Sequence, residues 1–361
     1  MVGLHPAVQG RPAARRPALT CRNVRRVLEP GTEAQMGFLV DGVWRDEWYD
    51  TEASDGRFVR RDSQFRNWIT PDGRPGPTGE GGFPAEAGRY HLYVSHACPW
   101  AHRTTIFRTL KGLEDAVSMS VTHWLMAENG WTFAPGPGVV PDDVNGSTFL
   151  YQVYLADSPR YSGHATTPVL WDKARGKIVS NESSEIIRML NVAFDGVGAH
   201  GVDYYPERLR RDIDALNGRI YDLLNNGVYK AGFATSQRAY EEAARGVFGM
   251  LDELEARLSG RRYLCDARPT EADWRLFTTL VRFDAVYVGH FKCNLRRLAD
   301  YPALSAYARD LFQIPGVAQT VHFDHIKRHY YESHRHLNPS GVVPIGPALD
   351  FGTPHGRERL S

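Results

Sequence analysis

The chain has 361 residues, 42% of them hydrophobic, and its 43 Lys and Arg against 42 Asp and Glu leave a formal net charge of +1. That length and apolar content suit two packed domains with an added tail. The balanced charge excludes a global field for nucleic acid or an anionic membrane, and no apolar run approaches the roughly 20 residues of a membrane span.

Residues 1–35 stand apart, with Arg at 11, 15, 16, 22, 25 and 26, no Lys, and only Glu29 and Glu33 as acids. A disordered basic tail, an organelle transit peptide and translation begun upstream of the true start are all open readings. The absence of Ser and the presence of Pro6, Pro12 and Pro17 argue against a transit helix. Met36 opens a patterned run, MGFLVDGVW. The expectation is a disordered, dispensable basic extension over 1–35. Residues 36–88 hold Trp44, Trp48, Tyr49 and Trp68 among many Gly and Pro. They are too aromatic for a linker and too punctuated for long elements, which predicts an extended lead-in packed on the body.

Residues 89–195 read as an α/β domain. The run His91-Leu92-Tyr93-Val94-Ser95 predicts a buried strand. Cys98-Pro99-Trp100-Ala101 then opens a helix that carries Ile106, Phe107 and Leu110 at helical spacing. Pro99 suits the first turn, where its missing N–H costs nothing. Cys98 therefore sits at the positive helix end, which favours a thiolate. The plain alternative is a small buried hydrophobe, as free cysteines often are. Cys21, Cys265 and Cys293 are too scattered for a zinc spacing or a disulfide scaffold, which fits a reducing, cytoplasmic setting.

Strand, Cys, Pro and helix in that order make a thioredoxin-like layout. Ala101 stands where a second cysteine would fall, so the site is monothiol. A strand over Val117–His123 follows, then a Gly/Pro-rich loop from Ala127 to Gly146 containing Trp131, and a short helix over Leu150–Leu155. Thr166–Asp172 predicts a strand entered through Pro168, the turn KARG leads to Ile178–Ser180, and a helix starts around Asn181–Glu185. In this layout Pro168 is expected cis, opposite Cys98, with Thr167 offering its main chain to a peptide-like ligand. Glu182 and Ser183 read two ways. Free helix N–H groups and a hydroxyl suit a ligand carboxylate, and Glu182 suits an ammonium. Asn181 or Ser183 could equally cap the helix.

Residues 200–335 read as all helix, with apolar spacing over Pro206–Leu224, Ala239–Leu258, Tyr301–Phe312 and Val317–Tyr331. Thr270-Glu271-Ala272-Asp273 is a capping box, so Asp273 is structural. Residues 336–361 form an extended tail. Tyr229, Tyr287 and Tyr330 stand out as phenols able to hydrogen-bond a thiolate or protonate a leaving group, although tyrosine is also an ordinary packing residue. His322, His325 and His329 share a helical face, open to a metal site or to a polar helix face.

Long motifs then narrow the reading: CPWAHR at 98–103, NESSEIIRMLN at 181–191, NNGVYKAGFA at 225–234, TEADWRLFTTLVRFDAVYVGHFKCNLRR at 270–297 and FDHIKRHYY at 323–331. The chain resembles the glutathione transferases, and within them the Xi-class, omega-like glutathionyl-hydroquinone reductases, over about residues 36–361. The resemblance implies a thioredoxin-like N-terminal domain and an all-α C-terminal one. It implies reduction of S-glutathionyl-hydroquinones through a mixed disulfide of Cys98 with glutathione, in a homodimer without metal. It places glutathione contacts at Trp131, along His164, Ala165, Thr166 and the backbone of Thr167, and at Glu182 with Ser183. It makes Tyr229 the catalytic tyrosine, with Tyr287 and Tyr330 supporting the cysteine thiolate. Departures are His164 and Thr132 where Arg is frequent, and Thr167 where Val is common. A charged contact from position 164 becomes pH-dependent with histidine. The same residues also fit a general thiol transferase or dehydroascorbate reductase, or a glutathione-binding protein without turnover.

Overall fold

The computed structural model describes residues 37–47 and 51–360. The extension expected over 1–35, and Trp48 and Tyr49 of the lead-in, lie outside the described residues. The lead-in opens with a hairpin not foreseen from sequence, β1 (Phe38–Val40) against β2 (Val43–Arg45). Its turn residues Asp41 and Gly42 have φ of 48° and 81°, the left-handed pair a two-residue hairpin turn needs. Beyond the hairpin the segment crosses the body. The Asn67 N–H donates to the Val179 carbonyl at 2.9 Å, the Arg66 guanidinium pairs with Glu185, and Phe58 packs on Phe233.

The α/β part comprises β3 (Tyr90–Val94), α1 (Pro99–Leu110), β4 (Val117–Val121), α2 (Leu150–Asp157), β5 (Val169–Asp172), β6 (Lys177–Ser180) and α3 (Ser183–Val192). The sheet order is β4-β3-β5-β6, with β3 parallel to β4 and antiparallel to β5, and β5 antiparallel to β6. Alternating residues feed opposite faces. Leu92, Val94, Leu170 and Val179 join α1 and α3 in one core, through Ile106, Phe107, Ile186, Ile187 and Leu190. Tyr93, Val169, Trp171 and Ile178 join α2 in the other, with Trp131 and Phe133. Both faces are covered, which is why β3 is buried at every position.

The helical part follows as α4 (Arg210–Ile220), α5 (Gly227–Gly232), α6 (Gln237–Leu258), α7 (Glu271–Arg282), α8 (Pro302–Phe312) and α9 (Phe323–Arg328). Wide π-helical turns run on from α4 (Tyr221–Asn225), α7 (Phe283–Tyr287) and α9 (His329–Ser333). Every residue of α7 is buried. The predicted capping box forms: Asp273 accepts from the Thr270 N–H at 2.7 Å and the Thr270 hydroxyl at 2.8 Å. It also accepts from the Leu264 N–H and the Tyr307 hydroxyl.

Several predicted elements change. β3 starts and ends one residue earlier, because Ser95 instead closes the next turn, its carbonyl accepting from the Cys98 N–H at 3.1 Å. The helix expected over Pro206–Leu224 begins at Arg210, after a 3-10 turn at Glu207–Leu209. The helix expected over Val317–Tyr331 is broken. A 3-10 turn ends at Thr320, whose hydroxyl turns to the Val317 carbonyl and to His102, and Val321 is extended. The tail 336–360 has no strand or α-helix but is anchored: buried Arg357 donates to the carbonyls of Leu258, Arg261, Arg262 and Ala303. Among the described residues no helix is long and apolar enough to cross a membrane.

Candidate active site

The site is built where β3 ends. Residues 95–97 turn the chain into α1, and Cys98 is the N-cap of that helix, in extended backbone conformation. Its Sγ accepts from the Ala101 N–H at 3.5 Å, and the thiol donates to the Thr167 carbonyl at 3.4 Å. The turn itself is clamped from the helical part. Fully buried Arg282 of α7 donates to the carbonyls of His96 and Ala97 at 3.1 and 3.0 Å, and to His102 Nδ1. Five guanidinium donors in a rigid fork make Arg suited to this, and the carbonyls replace the water it loses.

Opposite Cys98, the Thr167–Pro168 peptide is cis, as the layout predicted. Thr166 is held by Tyr154, whose hydroxyl donates to the Thr166 carbonyl at 2.8 Å. A cleft of about 790 Å³, partly open to solvent, runs along this backbone, with His164, Thr166, Thr167, Glu182, Ser183, Trp100 and Tyr221 on its walls. The lead-in contributes residues 60–64 to its walls. Ala165 does not line this cleft and packs half-buried against the second core.

Glu182, rather than Asn181 or Ser183, is the N-cap of α3. Its Oε1 accepts from the Ser184 N–H at 3.0 Å, while the Asn181 side chain is engaged by Phe65 and Tyr154. Burial opposes ionisation of Glu182. The Ser184 N–H and hydroxyl, the Arg103 charge and the Ser63 hydroxyl outweigh it and hold the carboxyl below its usual range. Ser183 is buried, and its hydroxyl accepts from Arg103 at 3.5 Å. His164 is pulled below the usual histidine range by burial, against the Gly37 carbonyl and with the Arg61 and Arg60 charges. It therefore offers this cleft a neutral ring near pH 7. Thr132, the other departure, is buried and donates to the Thr148 carbonyl.

A second pocket of about 550 Å³, also partly open to solvent, holds Cys98 itself, walled by Trp131, Met126, Phe58, Phe233, Tyr229 and Tyr330. Thr166, Thr167, Trp100 and Arg60 border both spaces. Trp131 thus stands on the Cys98 side, stacked on His329 with ring centres 4.7 Å apart. The tyrosine hydroxyls form a chain, Tyr229 with Tyr330 and Tyr330 with Tyr287 at 3.4 Å. Tyr287 is fully buried and reaches the pocket through Tyr330. Burial pushes Tyr229 well above the usual phenol range, and the Tyr287 and Cys98 charges add to that. Tyr330 and Tyr287 are raised by burial too. All three are neutral donors at neutral pH.

The histidine face is corrected from a polar helix face to a packing surface. His325 and His329 are buried, bonded to the Pro137 and Trp124 carbonyls, and His322 stacks on His96 at 3.6 Å. Among the described residues no group of three or more His, Cys, Asp or Glu could hold a metal ion. Sequence reasoning missed Arg60, Ser63, Trp100 and Tyr221. The signal for the first two was only that the lead-in packs on the body; Trp100 lay inside a motif already singled out.

Residues 97–193 match the glutathione S-transferase N-terminal domain, and residues 237–310 the C-terminal domain. The chain is 60% identical to glutathionyl-hydroquinone reductase YqjG of Escherichia coli K12, over 90% of this chain and 99% of that one. It is 57% identical to glutathionyl-hydroquinone reductase PcpF of Sphingobium chlorophenolicum, over 87% and 97%. The glutathione-bound structure of E. coli YqjG superposes with a TM-score of 0.84 at 56% identity, covering 90% of this chain and 99% of that one. A Xi class transferase from Natrialba magadii does so with 0.83 at 45% identity, covering 91% and 98%.

Proposed function

Because this chain belongs to the glutathione S-transferase family, in its glutathionyl-hydroquinone reductase branch, we propose that Cys98 is the nucleophile of the branch's reaction. The chain is an enzyme that reduces S-glutathionyl-hydroquinones to hydroquinones, with glutathione as reductant and co-substrate. In our reading the glutathione part of the conjugate lies along His164–Thr167, with its γ-glutamyl ammonium at Glu182 and its carboxylate at Ser183 and the start of α3. The ring lies against Trp131 and the tyrosines.

The Cys98 thiolate attacks the glutathionyl sulfur. A disulfide bond forms, the carbon–sulfur bond breaks, and its electron pair goes to the ring, which takes up one proton. The sulfur is oxidised and the ring carbon reduced. Tyr229 supplies the proton and is reprotonated from solvent. A second glutathione, as thiolate, attacks the mixed disulfide, releasing oxidised glutathione and restoring Cys98. Ala101 leaves no resolving cysteine in the motif, so the second thiol must come from glutathione.

The observation that carries the reading is the place of Cys98: it lines the aromatic pocket while its Sγ touches the Thr167 carbonyl at the edge of the other cleft. Cys98→Ser is expected to abolish conjugate reduction, and wild-type enzyme given conjugate without free glutathione should carry one glutathionyl group on Cys98 by mass spectrometry. Near-wild-type turnover by the mutant would sink the assignment. Assay of a simple disulfide beside the conjugate separates this activity from general thiol transfer. We also take the enzyme to be a cytoplasmic homodimer, on the family resemblance and on the need to keep Cys98 reduced. Light scattering should then give twice the 40.6 kDa chain mass.

A further inference from the structure

Arg60 comes from the lead-in, yet it borders both spaces of the site and a third cleft of about 1130 Å³ beside α5 and α6. It is half-buried. Its guanidinium carbon lies 5.0 Å from the Trp100 ring centre and 5.4 Å from that of Tyr229, and its Nε donates to Asn226 Oδ1 at 3.3 Å. These rings, with that of Phe58 at 5.9 Å, help to hold the cation in place. Among the described residues lining the Cys98 pocket, it is the one fixed positive charge. His329 and His334 also line that pocket, but burial keeps both neutral near pH 7.

The reaction needs such a charge. A thiolate cannot displace an aryl carbanion easily, whereas the keto tautomer of the hydroquinone gives a far better leaving group. In that tautomer a proton sits on the sulfur-bearing carbon and one ring oxygen, having lost its proton, is a carbonyl. Attack by Cys98 on sulfur forms the disulfide. The carbon–sulfur pair moves into the ring and ends on that oxygen as a phenolate, which then takes a proton. Negative charge develops on oxygen, and a preorganised cation in a partly dry pocket stabilises it as the bond breaks.

We propose that Arg60 is a catalytic residue whose guanidinium contacts a ring oxygen of the bound hydroquinone and stabilises the phenolate that leaves Cys98. The proposal rests on Cys98 being the attacking thiolate. It predicts that Arg60 serves only the first half-reaction, since no ring leaves in the second.

Arg60→Gln and Arg60→Lys would be assayed with S-glutathionyl conjugates running from unsubstituted to chlorinated hydroquinone. For Arg60→Gln, kcat with the unsubstituted conjugate should fall roughly tenfold to a hundredfold. It should fall less with chlorinated rings, whose phenolates need less help, so that rate depends more steeply on leaving-group acidity. Arg60→Lys should recover part of the loss. Reduction of a preloaded Cys98–glutathione disulfide by glutathione should be unchanged. Parallel loss in both half-reactions, equal loss across all conjugates, or no loss would each overturn the proposal. Cys98→Ser beside them separates the two readings: cleavage by that mutant overturns the nucleophile, while the leaving-group slope of Arg60→Gln decides Arg60 alone.

Discussion

Tyr229 and Glu182 show what single residues contribute once their partners are known. Tyr229 ends a chain of hydroxyls through Tyr330 to Tyr287, and burial keeps each protonated. Tyr229→Phe removes the donor facing the pocket but not the aromatic wall. It should lower kcat by about a hundredfold, within the range of general acid catalysis, with little change in glutathione affinity. Loss of binding instead would move Tyr229 to the glutathione cleft. Tyr287→Phe, one hydroxyl further back, should cost less. Glu182 both caps α3 and faces the cleft. Glu182→Gln keeps an acceptor for the Ser184 N–H and removes the charge, so KM for glutathione should rise while the melting temperature stays near wild type. Glu182→Ala loses the cap as well, about 1 kcal/mol of stability. Equal KM values for wild type and Gln would show that no ligand ammonium is bound there.

At the scale of elements, α7 couples the two halves of the molecule through Arg282, which holds the turn leading to Cys98. Arg282→Met fills the volume but leaves the His96 and Ala97 carbonyls without this donor in a buried place. At about 1–3 kcal/mol for each orphaned group, a loss of several kcal/mol is expected in urea denaturation, with a fall in kcat from a slackened Cys98. An unchanged midpoint would mean water replaces the guanidinium. These same elements mark what could be read in the sequence. The turn at Cys98 and the Thr270–Asp273 box rest on local chemistry, a proline at the first helical position and an acid three residues after a threonine, whereas the cis Pro168 followed from its place in the thioredoxin-like order of elements. The wide turns at Tyr221–Asn225, Phe283–Tyr287 and His329–Ser333 left no trace, since the apolar spacing runs on through them. Such turns often accompany functional sites, and here they carry Tyr221, Tyr287 and Tyr330. Arg60 and Ser63 were illegible for another reason. Their partners, Asn226 and Glu182, lie more than a hundred positions away, and nothing within the lead-in announces them.

Histidines are buried on both sides of the junction between the α/β and helical parts, among them His91, His102 and His123 on one side and His290, His329 and His334 on the other. Burial lowers His91, His123 and His329 to about 4 and His96 and His290 to about 3, and takes His102 and His334 well below the ordinary value. Two of their hydrogen bonds need an unprotonated ring nitrogen: His102 Nδ1 accepts from Arg282, and His290 and His334 share one bond between ring nitrogens. In the unfolded chain each returns to a pKa near 6.5. Between that value and the folded one, the unfolded state binds more protons than the native state, so stability rises with pH. It is therefore full above about pH 6.5 and falls progressively as acid is added towards pH 4. Carboxylates contribute mainly below about pH 5, which leaves the interval from 6.5 to 5 as a window on the histidines. Urea denaturation followed by circular dichroism at half-unit steps should show the midpoint dropping through that window, without any reference to activity. A flat midpoint from pH 7 to 5 would mean that the rings titrate in the native state as they do in the unfolded chain. That outcome would also limit the argument that Arg60 is the fixed cation of the Cys98 pocket to higher pH, because His329 and His334 would share the charge below about pH 6.5.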